Sequence, residues 1–279
     1  MTAVPPLVVA MVLGAALLHA AWNAMLRSGA DRLWSVTVMC AVGAAACAAA
    51  TPFLPLPAPA AWPYAGLSAL LQVGYCLFLV SAYEKGELGQ VYPVARGTAP
   101  LLVAIGAAVF AGERLAPQAI AGLALISGGI VALSLGKDRL GLAAMRDALI
   151  TGVFIAGYMV TDGVGVRLSG HALSYFAWMT LAQGLPMPLV YLAIRKRFPP
   201  LRPDADTLKA VGGGIMGLTA YGVVVWALSR APMAKVSGLR ETAILFAAII
   251  GAVFLKERFT LRRGVCALTI SVGAILLAG

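Results

Sequence analysis

The sequence predicts an all-α membrane protein: ten transmembrane helices arranged as two inverted five-helix repeats. Three observations predict it: an apolar composition, apolar segments of membrane-spanning length, and an internal repeat. Of the 279 residues, 61% are hydrophobic and only 11% are charged. A soluble domain carries about 25% charged residues. The mean hydropathy is +0.91. A water-soluble fold of this size could not hide so much apolar surface, whereas lipid solvates it directly. Each spanning helix needs about 20 apolar residues. Ten of them use most of the chain and leave short loops.

The first segment, 5–26, is long enough to span. No Lys or Arg precedes Arg27, so the basic leader of a signal peptide is missing and the segment reads as a retained helix. Segment 33–54 follows the charged stretch Arg27 to Arg32 and ends in Pro52-Phe53-Leu54-Pro55-Leu56-Pro57. Segment 62–83 runs up to Glu84-Lys85-Gly86-Glu87, and 88–110 up to Gly112-Glu113-Arg114. Segment 116–136 stops at Lys137-Asp138-Arg139, and 147–168 at the stretch from Arg167 to His171. Segment 172–194 is followed by Arg195 to Pro203, and 207–228 by Arg230-Ala231-Pro232. Segment 233–255 ends at Lys256-Glu257-Arg258, and 260–278 closes the chain. All are too long and continuous for membrane β-strands, which alternate over about ten residues.

The net charge of +10 would suggest nucleic acid in a soluble protein. Here the cations lie between apolar segments, as the positive-inside rule requires, and no nucleic-acid partner is expected. Fifteen Lys and Arg residues fall at the connections following segments 1, 3, 5, 7 and 9, among them Arg27, Lys85, Arg146, Lys196 and Arg258. Four fall at the others: Arg114, Arg167, Arg230 and Lys235. This places the fifteen in the cytoplasm and both termini outside. Cys40, Cys47, Cys76 and Cys266 sit in apolar runs without CxxC spacing and read as small buried hydrophobes, with neither a disulfide nor a metal expected.

A shift of 144 residues lays Arg96 to Leu133 over Arg240 to Leu277, with fifteen of 38 positions identical. Charged matches carry the signal: Arg96/Arg240, Glu113/Glu257 and Arg114/Arg258. The chain therefore divides into 1–140 and 141–279, five helices each. Five is odd, so the second half crosses the membrane in the opposite sense. Inverted repeats recur in secondary transporters, with the site at the repeat interface near the midplane.

Particular motifs then carry a family resemblance. They are His19-Ala20-Ala21-Trp22-Asn23, Tyr92-Pro93-Val94-Ala95-Arg96-Gly97-Thr98-Ala99-Pro100, Gly112-Glu113-Arg114, Thr161-Asp162-Gly163, Gly238-Leu239-Arg240-Glu241-Thr242 and Lys256-Glu257-Arg258. The chain resembles the bacterial drug/metabolite transporter superfamily, with two EamA-type halves, over essentially its whole length. The resemblance implies a ten-helix, multi-pass protein of the bacterial inner membrane that exports or exchanges metabolites such as amino acids. A branch linked to phosphonate use has similar Trp-Asn and Thr-Asp-Gly marks. A flippase for a lipid-linked substrate is the alternative within the superfamily.

An ionisable side chain inside a span costs a few kcal/mol on insertion scales and asks for a reason. Arg96 lies between Pro93 and Pro100, which should interrupt the fourth helix. It either faces a cavity or locks two helices through a carboxylate. Arg240 holds the matching depth in the ninth helix, next to Glu241. If Glu241 takes one arginine, the other is free for a ligand, and a guanidinium favours a carboxylate or phosphonate. Asp162 suits a proton carrier if unpaired, and a helix-end partner of Arg167 otherwise. His19 and Glu241 are further coupling candidates. Trp22, Asn23, Gln72 and Tyr92 are candidate substrate contacts, and Tyr75, Tyr83, Tyr158 and Trp226 candidate cavity walls. The best substrate is a zwitterionic or anionic small molecule, with the lipid bilayer as a further partner and protons as the candidate coupling ion. A homodimer is left open.

An enzyme is not expected: there is no HExxH, no GxSG-type elbow and no second deep aspartate to form a dyad with Asp162. No nucleotide-binding GxxxxGK[ST] loop is present either, and no cofactor is implied.

Overall fold

The computed structural model describes residues 4–27, 31–85, 88–134, 141–198, 204–246, 249 and 261–279. The first half comprises α1 (Pro6–Arg27), α2 (Arg32–Ala50), α3 (Trp62–Lys85), α4 (Leu88–Ala111) and α5 (Pro117–Ser134). The second comprises α6 (Leu142–Leu168), α7 (Ala172–Gly184), α8 (Met187–Arg195), α9 (Ala205–Leu228), α10 (Met233–Arg240) and α11 (Leu261–Ala278). No strand occurs among the described residues. The helices follow the ten predicted segments. α7 and α8 form one crossing, broken at Leu185-Pro186. α10 opens the ninth crossing, most of whose remainder, with Glu257 and Arg258, lies outside the described residues.

Local chemistry sets several boundaries. Asp31, His171 and Asp204 cap α2, α7 and α9 by accepting from Trp34 N, Ser174 N and Thr207 N, which satisfies donors that a helix N-terminus leaves free. Seven crossings are long and apolar enough to span by themselves, while α5 and α11 carry shorter apolar stretches. Phe110, Leu142 and Leu261 point fully outward, as side chains solvated by lipid can.

Helix contacts come in mates that the repeat predicts. α3 packs on α6, and α1 on α9; α4 packs on α6, and α1 on α10; α2 packs on α9, and α3 on α7. Exchanging the halves turns each contact into its partner. α2 against α7, α4 against α10 and α5 against α11 are their own mates. In the last pair the backbones meet at glycines. A Cβ on Gly122 would lie 2.8 Å from Gly273 O, and one on Gly273 would lie 2.6 Å from Gly122 O.

Polar networks tie each end of the bundle. At one end, Lys85 Nζ and Arg146 Nη2 lie 2.6 Å and 2.9 Å from the two oxygens of Asp147. Arg195 pairs with Glu84 at 3.4 Å, and Tyr191 donates to Asp31 at 3.0 Å. At the other end, Arg167 pairs with Glu113 at 2.7 Å and donates to the carbonyls of Leu228 and Ala231. Glu113 also accepts from Met233 N at 2.9 Å, capping α10. Glu113, in the turn between α4 and α5, thus bonds across to the second half.

One expectation changes. α4 runs unbroken through Pro93 and Pro100, because α5, α6 and α10 pack around it. The interruption falls on α10 instead. Glu241 N bonds to Gly238 O and Thr242 N to Leu239 O, tighter i to i+3 bonds that end the α-helix at Arg240. Gly213 and Gly217 have the spacing of a GxxxG packing motif. The tight approach is at Gly214, whose Cβ would sit 3.1 Å from Met39 Cα.

Candidate functional site

A partly open cavity of about 140 Å³ lies between the two halves. Its walls come from α1, α2, α3, α6, α7, α9 and α10. His19 and Trp22 of α1, Val36 and Met39 of α2, and Tyr75 and Leu79 of α3 line it from the helix halves that lead to the 28–31 and 86–87 connections, whereas Tyr158, Thr180, Tyr221 and Arg240 line it from nearer the middle of their crossings. At one end of the bundle the Glu113–Arg167 bond bridges the two halves.

Of the predicted site residues, His19, Trp22, Gln72 and Arg240 line this cavity. Trp22 donates its indole N–H to His19 Nδ1 at 3.1 Å, so a neutral His19 carries its proton on Nε2. Gln72 reaches Ser68 Oγ at 3.1 Å. Arg240 stacks over the Tyr221 ring at 5.3 Å and reaches Tyr158 OH at 3.5 Å. It forms no salt bridge among the described residues. Tyr75, Tyr158 and Tyr221 form an edge-to-face row, with ring centroids 5.7 Å and 5.6 Å apart, along one wall.

Other candidates stand behind the wall. Arg96 is 1% and Glu241 0% exposed; Arg96 Nε donates to Glu241 Oε2 at 2.8 Å. Arg96 therefore takes the helix-locking role of the two weighed for it. Tyr92 lies under Arg96, its ring centroid 5.9 Å from the guanidinium carbon. Asn23 donates to the His19 carbonyl at 2.8 Å and does not line the cavity. Tyr83 and Trp226 are also off the cavity; they stack with Arg32 and Arg230.

Asp162 does not pair with Arg167, which is taken by Glu113. It is fully buried and accepts from Tyr175 OH at 2.9 Å and from Tyr221 OH. The Thr161-Asp162-Gly163-Val164-Gly165 run makes this possible. A Cβ on Gly165 would lie 2.5 Å from Tyr175 OH, and one on Gly163 2.6 Å from Met233 Sδ. Tyr221 thus touches Asp162 with its hydroxyl and Arg240 with its ring. Sequence reasoning missed Tyr175, Tyr221, Thr180 and Gln183. A polar amide in the middle of an apolar span, the signal that found Gln72, would also have found Gln183.

The profile of the EamA-like transporter family matches residues 6–135 and 144–279. The chain belongs to this family, as a multi-pass membrane protein built of two repeats. No curated protein matches it in sequence. It is similar to a protein of known crystal structure at a TM-score of 0.75, with 20% identity, over 97% of this chain and 94% of the other. That likeness concerns the fold alone.

Proposed function

We propose that this protein is a secondary transporter of a small organic anion or zwitterion, working as an exporter or exchanger in the bacterial inner membrane. The halves 1–140 and 141–279 rock about the central cavity, and Arg240 binds the carboxylate or phosphonate of the substrate. The observation that carries this reading is that Arg240 is the one charged arginine, lysine or carboxylate side chain among the cavity-lining residues, and has no carboxylate partner among the described residues. A guanidinium in a water-poor cavity favours a bidentate oxyanion.

The cavity is smaller than the roughly 300–1,000 Å³ typical of drug-sized ligands, which favours a metabolite. An amino group on the substrate would meet the side-chain carbonyls of Gln72 or Gln183 and the tyrosine faces, since Asp162 stands behind Tyr221. Asp162 remains the coupling candidate, one hydroxyl away from the cavity, with His19 and Glu241 as further ones.

The test is an uptake screen in proteoliposomes with amino acids, phosphonates, other organic anions and lipophilic cations. Transport of a carboxylate or phosphonate supports the reading. A preference for lipophilic cations contradicts it.

A further inference from the structure

The 144-residue shift that superposes the repeats pairs Arg96 with Arg240 and Gly97 with Glu241. The ion pair joins Arg96 to Glu241 across the two halves. Its mate under the repeat is Arg240 opposite Gly97, and glycine has no carboxylate to offer. Only one of the two arginines can therefore be neutralised from the other half.

Alternating access in inverted-repeat transporters is largely a rocking of one repeat against the other. Each half then takes up the conformation of its mate. Under that exchange Arg96 occupies the place Arg240 has here, on the cavity, and Arg240 withdraws opposite Gly97. The Arg96–Glu241 bond is lost, because its image is Arg240–Gly97. The bond is also incomplete as it stands: Arg96 Nη1 and Nη2 and Glu241 Oε1 are buried without a hydrogen-bond partner among the described residues. Leaving such buried polar atoms unmet is costly, and they keep hydrogen-bonding capacity for another partner.

We propose that Arg96 is a second substrate-binding residue, masked by Glu241 in this conformation and presented to the cavity in the conformation open to the opposite face. The proposal rests on Arg240 as the anion site of the first conformation. Glu241 then acts as a built-in anion that holds the arginine until the substrate's own charge replaces it.

The test needs no substrate. Cys40 lines the cavity and is half-buried; with Cys47, Cys76 and Cys266 replaced by alanine, its alkylation rate reports that the cavity is open on its present side. Phenylglyoxal modifies accessible guanidiniums, and peptide mapping locates the adducts. In the starting protein Arg240 should be modified and Arg96 protected. Glu241→Gln unmasks Arg96 and leaves it charged and buried unless the halves exchange. Its modification should then rise at least fivefold, while Cys40 alkylation slows at least threefold. Arg96→Gln added to Glu241→Gln removes the lone charge and should restore the Cys40 rate, which also shows that the single variant is folded. If Arg96 stays protected in the Glu241→Gln variant, or is exposed without slower Cys40 alkylation, the proposal is overturned. The anion reading of Arg240 fails by a different result: anion binding that survives Arg240→Gln.

Discussion

Glu241, on the second half of the chain, holds Arg96 of the first half at 2.8 Å, and both side chains are buried. Arg240, one residue before Glu241, is left to face the cavity. One carboxylate thus divides two arginines matched by the repeat into a buried, paired one and a cavity-facing one.

Removing one partner of such a pair leaves an uncompensated buried charge, which costs about 3–5 kcal/mol. Arg96→Gln and Glu241→Gln should each lower the unfolding midpoint in detergent. Arg96→Gln/Glu241→Gln should be more stable than either single variant. A double-mutant cycle with a coupling energy near zero would show that the two residues do not depend on each other.

Asp162 carries two tyrosine hydroxyls and lies one residue's depth from the cavity. If it carries the coupling proton, Asp162→Asn should abolish accumulation driven by a pH gradient and spare substrate exchange. Tyr221→Phe, which removes one of the two donors but keeps the ring beside Arg240, should impair accumulation more than binding. Equal loss of accumulation and exchange in Asp162→Asn would mark the aspartate as structural.

Glu113 ties the two halves together at one end of the bundle by bonding both Arg167 and the α10 N-terminus. Glu113→Ala leaves the Met233 N–H and the guanidinium without this acceptor. The loss of a helix cap alone costs about 1 kcal/mol. Faster hydrogen exchange at residues 231–236, with the α1–α9 contact unaffected, is the expected readout.

Lys196 ends α8 in a left-handed turn at the basic end of the molecule. The positive-inside rule leads to the expectation that this end lies in the cytoplasm. A cysteine at Lys196, in a protein lacking the four native ones, should resist impermeant thiol reagents in intact cells and react in inverted vesicles. Labelling from outside would reverse the orientation.

The crossings were legible because bilayer thickness fixes the length of an apolar run, and loop charges mark its ends. The repeat was legible because charged matches are rare in apolar sequence. The two prolines of α4 misled: they remove backbone donors locally, but α4 runs unbroken among the helices packed around it. The break lies instead beside Glu241. Sequence placed Arg240, Asp162 and Gln72 in the membrane but gave no means of deciding which faces the cavity, since that depends on how helices from both halves turn against each other. Tyr221 shows the limit. An aromatic residue within a span reads as wall or belt, and its bond to Asp162 appears only when α9 is placed beside α6.

The proposed function rests on Arg240 as the site of the substrate's negative charge. Its most direct test is calorimetric binding of the transported anion to purified protein, comparing Arg240→Gln and Arg240→Lys with the unmodified chain. Arg240→Gln should weaken binding by more than about 2 kcal/mol, with the fold intact by circular dichroism. Arg240→Lys should recover little of it, because an ammonium lacks the planar two-donor fork. Unchanged affinity in Arg240→Gln would contradict the account.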